Sequence, residues 1–212
     1  MKILIIRLSS LGDVVLTTPV PRLLRKKFPN SEIHFITKSE YSDIYINNNN
    51  VNKVINLEHN LKKTIKLLKS EKYDLVIDLH NNLRSNIIKY LLSVKHLTYN
   101  KQSFARWLFS NLKIKLAIKH ITKSYIETLN NLDIEDDDKG LDLFLHEKDL
   151  YDLNKMPNEF RNGFYVLVLG GKYKTKRLPV EKSIELCDKI NRPIVLIGCL
   201  LYTSDAADDN AG

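Results

Sequence analysis

The sequence predicts an α/β fold, with a parallel sheet covered by helices on both faces. Short apolar runs of strand length alternate along the chain with longer stretches of helical periodicity. This order is typical of parallel strands joined by helices. The apolar runs are also rich in Ile, Leu and Val, as expected of strands whose two faces are both buried. A hydrophobic content of 43% over 212 residues agrees with a globular chain.

The first 131 residues hold five such strands and the helices between them, and we assign them to one domain. The predicted strands lie at 2–7, 32–37, 53–57, 74–78 and 94–98. The predicted helices lie at 14–28, 60–70, 83–92, 103–118 and 121–131. In the first helix Pro19 and Pro21 limit the regularity of the start, because proline donates no backbone hydrogen bond.

The pattern changes after residue 131, and we interpret 132–162, which contains an acidic run at 135–138, as an interdomain linker. A strand at 164–169, a helix at 180–190 and a strand at 193–197 then predict a βαβ unit that begins a second, truncated domain over 163–198. The last stretch, 199–212, fits neither period and resembles a translated sequencing adapter, so we treat it as a non-native tail.

The composition bounds the function. A net charge of +8 favours phosphate-bearing or anionic partners, but the lysines are not clustered and we expect no nucleic-acid role. The two cysteines, Cys187 and Cys199, exclude a disulfide scaffold or a thiolate zinc site as the organising feature. The apolar run at 3–6 is too short for a signal peptide or a membrane span, so we expect a cytoplasmic location.

The loop at 9–13 lies between the first strand and the first helix. Ligands of open α/β sheets bind at the carboxyl ends of strands, and a helix start offers free N–H groups to an anion. Gly12 permits close backbone approach or an unusual φ, although a single glycine does not make a dinucleotide loop. Spacing alone favours a simpler interpretation, in which Asp13 only caps the helix.

Three further segments each allow two interpretations. The turn at 170–177 is a diphosphate cradle or a solvated basic turn. The segment at 80–85 carries Arg84, which binds an acidic ligand or is a surface arginine beside a helix cap. The basic, aromatic stretch at 101–123 lies on an anionic membrane surface or packs on the core with a solvated basic face.

Several motifs together resemble glycosyltransferase family 9, the ADP-heptose:lipopolysaccharide heptosyltransferases. The opening reads Ile-Arg-x-Ser-Ser-Leu-Gly-Asp-Val-Val from Ile6, and Thr17-x-Pro19 and 28–30 follow in the family's order. Residues 73–85 resemble its fourth-strand segment. The sequence at 176–179 resembles a second-domain loop that commonly reads Lys-x-Trp-Pro, with Leu178 in place of the Trp.

The resemblance, which covers 1–198, implies a GT-B architecture: two Rossmann-like domains with the active site in the cleft between them. It further implies inverting, metal-independent transfer of heptose from ADP-heptose to a lipopolysaccharide inner-core acceptor, with Asp13 as general base. Residues expected on the donor side are Gly12, Gly170, Gly171, Thr175 and Lys176. Residues expected on the acceptor side are Ser9, Ser10, His80, Asn81 and Arg84.

The implied partners are a nucleotide-sugar donor, a lipid A-linked saccharide and an anionic membrane surface, with no cofactor. We expect a monomer that is peripheral on the inner face of the cytoplasmic membrane. We expect no metal site, because the six histidines show no ligand spacing and the DxD at 136–138 is interpreted as solvated. Residues 1–212 alone are expected to be inactive. Two alternatives stay open: a family member with another donor or acceptor, and a non-catalytic Rossmann-like binding module.

Overall fold

The computed structural model describes residues 1–101, 120–170 and 177–198. The chain divides into two compact units, Met1–Glu147 and Lys148–Gly212. Several predictions lie outside the described residues: the helix at 103–118, the tail at 199–212, and the site residues Gly171, Thr175 and Lys176.

A five-stranded sheet with the order β3-β2-β1-β4-β5 forms the centre of the first unit. All its neighbouring strands are parallel, which confirms the predicted fold class. The strands are β1 (Lys2–Ile6), β2 (Glu32–Thr37), β3 (Lys53–Asn56), β4 (Leu75–Asp78) and β5 (Lys95–Thr98). Each lies within its predicted range.

The described helices of this unit agree with the predictions except at the start, at the short helix Asp43–Ile46, which the sequence did not predict, and after residue 126, where the last predicted helix gives way to a 3₁₀ turn. They are α1 (Leu11–Val15), α2 (Pro19–Lys27), α3 (Asp43–Ile46), α4 (Leu61–Ser70), α5 (Leu83–Leu92) and α6 (Ile121–Ile126), which a 3₁₀ turn at Glu127–Leu132 follows. The prediction of one helix over 14–28 was wrong. Pro19 has no N–H with which to continue the bonding of α1, so a second helix starts there.

The core lies on both faces of the sheet because the side chains of each strand alternate. On β1, Ile3 and Ile5 face one cluster, with Leu24 of α2 and Tyr125 of α6. Leu4 and Ile6 face the other, with Leu68 of α4 and Ile88 of α5. Helices therefore cover both faces, as the Ile- and Val-rich strands predict.

The residues from 132 to 147 belong to the first unit. Arg22 of α2 pairs with Asp137 at 2.8 Å and with Asp142, and Ile134 is buried. The interpretation of the acidic run as solvated was wrong for Asp137, whose side chain is only 7% exposed. The compact unit thus extends beyond 131, where the sequence places the end of the first domain, to Glu147.

The second unit contains the predicted βαβ arrangement. Its two parallel strands are β6 (Tyr165–Val168) and β7 (Ile194–Ile197), and α7 (Val180–Lys189) lies between them in sequence. In the ranges that the structure describes, no helix is both long and apolar enough to cross a membrane.

Candidate active site

The ends of β1 and β4 lie side by side at the carboxyl edge of the sheet, since Ile6 is in register with Asp78. The loop 7–10 and the loop 79–82 leave these two strands, and each leads into a helix. In an open parallel sheet this edge, next to the first strand, is where ligands bind. The structure therefore brings two of the predicted segments, 9–13 and 80–85, to one place.

Asp13 is bound within its own loop. Its Oδ2 accepts hydrogen bonds from the backbone N–H of Ser10 at 3.3 Å and from the Ser10 hydroxyl at 3.0 Å. These contacts belong to a capping box, in which a side chain in the first helical turn bonds back to the residue that caps the helix. The capping role favoured by spacing is thus present, but the carboxylate also contacts a third group that capping does not need.

That third group is the guanidinium of Arg7. Its Nη2 lies 2.8 Å from Oδ2 of Asp13, and its Nη1 donates to the Leu79 carbonyl oxygen at 2.6 Å. Its Cζ stands 5.4 Å from the centre of the Tyr125 ring, within the range of a cation–π contact. Arg7 is buried and joins the two loops.

Arg7 was not among the predicted site residues, although its position at the end of a buried strand indicates a buried ion pair. An arginine that directly follows four buried residues of a central strand needs a partner inside the protein, because an unpaired buried charge is costly. The partner is Asp13, the residue that the motif singled out.

Two opposing effects act on the pKa of Asp13. Partial burial raises it, whereas the charge of Arg7 and the hydrogen bonds from Ser10 and Arg7 lower it, and the net shift is downward. The carboxyl group is therefore ionised at neutral pH. In the part of the chain that the structure describes, the hydrogen bonds and the ion pair of Asp13 all involve Oδ2, so Oδ1 is open to a ligand.

His80 lies near the same charges. Burial, helped by the positive charges of Arg7 and Lys101, lowers the pKa of His80 to about 4 against the opposing effect of Asp78 and Asp13. The ring is therefore neutral at pH 7. Its Nδ1 is buried and has no hydrogen-bond partner among the described residues. A neutral imidazole with a free nitrogen can bind a sugar hydroxyl.

Asn81 and Asn82 support the loop itself. Asn81 has a φ of 48°, a left-handed conformation that asparagine tolerates, and its Nδ2 donates to the Tyr99 carbonyl at 2.9 Å. Asn82 caps α5 by accepting from the Ser85 N–H at 2.9 Å. This cap agrees with the simpler interpretation of 80–85.

Arg84 and the glycines are less closely tied to Asp13. Arg84 is exposed on the first turn of α5, and within the described ranges no ion pair joins it to Asp13. A Cβ on Gly12 would meet nothing within 4 Å, and its φ is not positive, so the fold itself does not require glycine there. Gly170 directly follows Leu169, whose N–H bonds the Ile197 carbonyl in the second unit.

One cluster with metal-ligand atoms was missed by sequence reasoning, which found no metal spacing. The ligand atoms of Glu32, His34 and Glu71 lie within 4.8 Å of one another at the amino edge of the sheet. Lys2 contacts both carboxylates, at 3.1 and 2.8 Å, and Lys53 contacts Glu71 at 2.6 Å. The lysine ammonium groups thus pair with the carboxylates that a metal ion would need as ligands. We interpret the cluster as a salt-bridge network.

The fold is that of the GT-B type glycosyltransferases. One similar structure is the glycosyl transferase family 9 protein from Veillonella parvula, with a TM-score of 0.73 and 21% identity over 98% of this chain and 65% of that chain. Another is the Escherichia coli ADP-heptose lps heptosyltransferase II, with a TM-score of 0.68 and 18% identity over 98% of this chain and 67% of that one.

The family follows from the sequence comparisons. Residues 61–203 match the model of glycosyltransferase family 9 (heptosyltransferase), and the chain belongs to this family. A relative, lipopolysaccharide heptosyltransferase 1 of Campylobacter coli, is 33% identical over 109 residues, which are 49% of this chain and 32% of the relative. The match thus spans about a third of the relative's length. The family inferred from the motifs is confirmed.

Proposed function

We propose that the protein transfers heptose from ADP-heptose to an inner-core sugar of a lipid A-linked saccharide, with inversion and without a metal ion. The observation that carries this proposal is the Asp13 carboxylate, which lies at the carboxyl edge of the sheet with one oxygen held by Ser10 and Arg7 and the other open. Membership in family 9 supports sugar transfer, and the name of the similar E. coli enzyme supports the donor and acceptor class.

In the proposed reaction, an acceptor hydroxyl donates its hydrogen bond to Oδ1 of Asp13. The hydroxyl oxygen attacks the anomeric carbon as its proton passes to Asp13, and the bond from that carbon to the ADP oxygen breaks. Attack from the face opposite ADP inverts the anomeric configuration. A carboxylate of low pKa is a weak base, so its contribution comes from placement and from proton transfer late in the step.

On the donor side we propose that Lys176, with Thr175 and the glycines Gly12, Gly170 and Gly171, holds the diphosphate. Departure of ADP builds negative charge on the phosphates, and a fixed cation stabilises that charge. A lysine in this role makes a divalent metal unnecessary.

On the acceptor side we propose that Ser9, Ser10, His80 and Asn81 bind sugar hydroxyls and that Arg84 binds an acid group. The neutral ring of His80 suits a hydroxyl. The exposed guanidinium of Arg84 suits a carboxylate or phosphate of the acceptor. We further propose a cytoplasmic monomer whose basic stretch at 101–123 contacts the anionic membrane surface.

The test uses the intact protein, including any sequence that continues from this chain, with a panel of nucleotide sugars and a Kdo-terminated lipid A acceptor. We expect ADP-heptose to be preferred, the new linkage to be inverted when its configuration is read by NMR, and the rate to be unchanged by EDTA. Preference for another donor would favour the alternative within the family. Saccharide binding without transfer would favour a binding module and contradict the proposal.

A further inference from the structure

A buried carboxylate at the end of β4 is not explained by the proposed chemistry. Asp78 is fully buried and lies next to the loop that carries His80 and Asn81. We propose that Asp78 is a positioning residue, which fixes the loop 79–82 and, through it, the Arg7 guanidinium that holds the Asp13 carboxylate. The catalytic consequence rests on the proposed function, because it requires that Asp13 be the base.

Asp78 ties the loop to the helix that follows it. Its Oδ1 accepts the backbone N–H groups of His80 at 2.9 Å and of Asn81 at 2.8 Å. Its Oδ2 accepts the Ser85 hydroxyl at 2.8 Å and pairs with the Lys89 ammonium at 2.8 Å. One side chain thus fixes two consecutive loop amides and two turns of α5.

The same loop is linked to Asp13 by way of Arg7. Leu79, directly after Asp78, donates its N–H to the Ile6 carbonyl at 3.0 Å, and its own carbonyl accepts from Arg7 at 2.6 Å. Arg7 then contacts Asp13 at 2.8 Å. A shift of the loop would therefore move the hydrogen-bond acceptor that orients the guanidinium.

The charge of Asp78 has its counter-ion in Lys89. The Lys89 side chain is only 8% exposed, and its ammonium also donates to Thr98 Oγ1 at the end of β5 at 2.9 Å. Desolvation makes such a pair a weak source of stability, and apolar residues of similar volume often serve as well. The geometry therefore favours a positional role for Asp78, namely the capture of two loop amides by its carboxylate.

The experiment compares two double variants that both lack the ion pair. Asp78→Asn with Lys89→Met keeps an oxygen that can accept from the His80 and Asn81 amides, whereas Asp78→Ala with Lys89→Met removes it. The pKa of Asp13 is measured in the full chain by NMR of the carboxyl carbon. The Asp13 signal is identified as the one that disappears in the Asp13→Asn variant. Among the described residues, Arg7 is the charged group that lowers the pKa of Asp13. The neighbouring His80 feels the charges of Arg7, Lys101, Asp78 and Asp13.

We expect the Asn variant to keep the pKa of the unsubstituted chain. In the Ala variant the pKa should rise by about one unit, because Arg7 no longer sits against the carboxylate. In the intact enzyme the Ala variant should lose about tenfold or more in kcat with little change in donor KM. Asp74→Asn is a matched control at the other end of the same strand. Asp74 accepts the Lys2 N–H there, and its substitution should change neither quantity.

Equal Asp13 pKa values and equal kcat in the two double variants would overturn the proposal. Hydrogen exchange of the His80 and Asn81 amides in the unsubstituted chain gives a second test that needs no folded variant. Protection like that of β4 supports the proposal, and free exchange contradicts it. If sugar transfer is lost in Asp13→Asn but the two double variants have the same Asp13 pKa and kcat, the positioning role of Asp78 is wrong and the proposed function stands. If the pKa shifts but Asp13→Asn transfers sugar normally, the positioning stands and the proposed function fails.

Discussion

The two edges of the five-stranded sheet both carry charged clusters, but they differ in how completely the atoms are paired. At the amino edge, Lys2 contacts Glu32 and Glu71, and Lys53 contacts Glu71. His34 uses both ring nitrogens, on Glu32 and on the Tyr73 hydroxyl. Such a network is closed to a ligand.

At the carboxyl edge the polar atoms are less completely paired. Oδ1 of Asp13 and Nδ1 of His80 have no partner among the described residues, and Asn81 holds a left-handed backbone. The unpaired, buried Nδ1 of His80 and the left-handed backbone of Asn81 each cost stability in a free protein. The comparison teaches that charge density alone does not mark a site, whereas unpaired polar atoms on a well-fixed backbone do.

The largest effect that would sharpen this comparison is expected from Asp13→Asn. The amide keeps an acceptor for Ser10 but cannot take a proton, so kcat of the intact enzyme should fall about a thousandfold. The melting temperature should also fall, because the buried Arg7 loses the carboxylate that pairs with it, so rates are compared well below it. Rates are measured by ADP release, with Asp74→Asn as the control. Activity within threefold of the unsubstituted enzyme would remove Asp13 as the base.

A smaller loss is expected from Arg7→Met, which removes the charge that holds Asp13. Because Arg7 lowers the pKa of Asp13, its loss should raise that pKa. The base must be ionised, so the acid limb of the kcat/KM profile should move to higher pH. The profile is measured from pH 4 to 8, and kcat should also fall about a hundredfold from misplacement. An unmoved acid limb would show that Arg7 does not act through Asp13.

At the amino edge, Glu71→Gln should affect stability and not catalysis. Hydrogen bonds from Lys2 and Lys53 lower the pKa of Glu71 to about 2. A carboxylate with a depressed folded-state pKa stabilises the protein above its unfolded pKa of 4.5, and this contribution is lost as pH falls toward 2.

For this variant we expect a loss of about 1 kcal/mol in the free energy of unfolding at pH 7. The difference from the unsubstituted chain should shrink as the pH falls from 4.5 through 2, as urea titrations would show. A loss that persists at low pH would mean that packing and not charge is responsible. A fall in kcat would show that the amino edge also affects catalysis, which would contradict the contrast between the two edges.

The smallest effect is expected from Gly12→Ala. The new methyl group meets nothing within 4 Å, and alanine favours a helix over glycine, so stability should rise by about 0.5 kcal/mol. If a substrate approaches this backbone, KM should rise severalfold while the melting temperature also rises. An unchanged KM would show that no ligand passes close to Gly12.

The sequence predicted much of the fold because the signals were local. Alternation of apolar runs placed each strand of the described residues, and the motif singled out Asp13 as the candidate base. The sequence also indicated that Pro19 limits the regularity of the first helix, but not that the helix would end at Val15 and a second one begin at Pro19. The acidic run was misjudged for Asp137 because its partner, Arg22, is distant in sequence.

The site was less predictable for the same reason. The contacts of Arg7 with Leu79 and of Asp78 with Lys89 depend on the register of β1 with β4. The amino-edge network joins Lys2, Glu32 and Glu71, which only the folded sheet brings together. A single sequence contains no local signal for such long-range pairs.

The length of β1 has a consequence for engineering. Its five residues separate the two edges by about 15 Å at the usual rise of a strand. Sites farther apart than about 10 Å that share no partner are energetically independent. Stability gained by redesigning the charges around Lys2 should therefore add to any change made around Asp13, so that the protein can be made more robust from one edge while its chemistry is altered from the other.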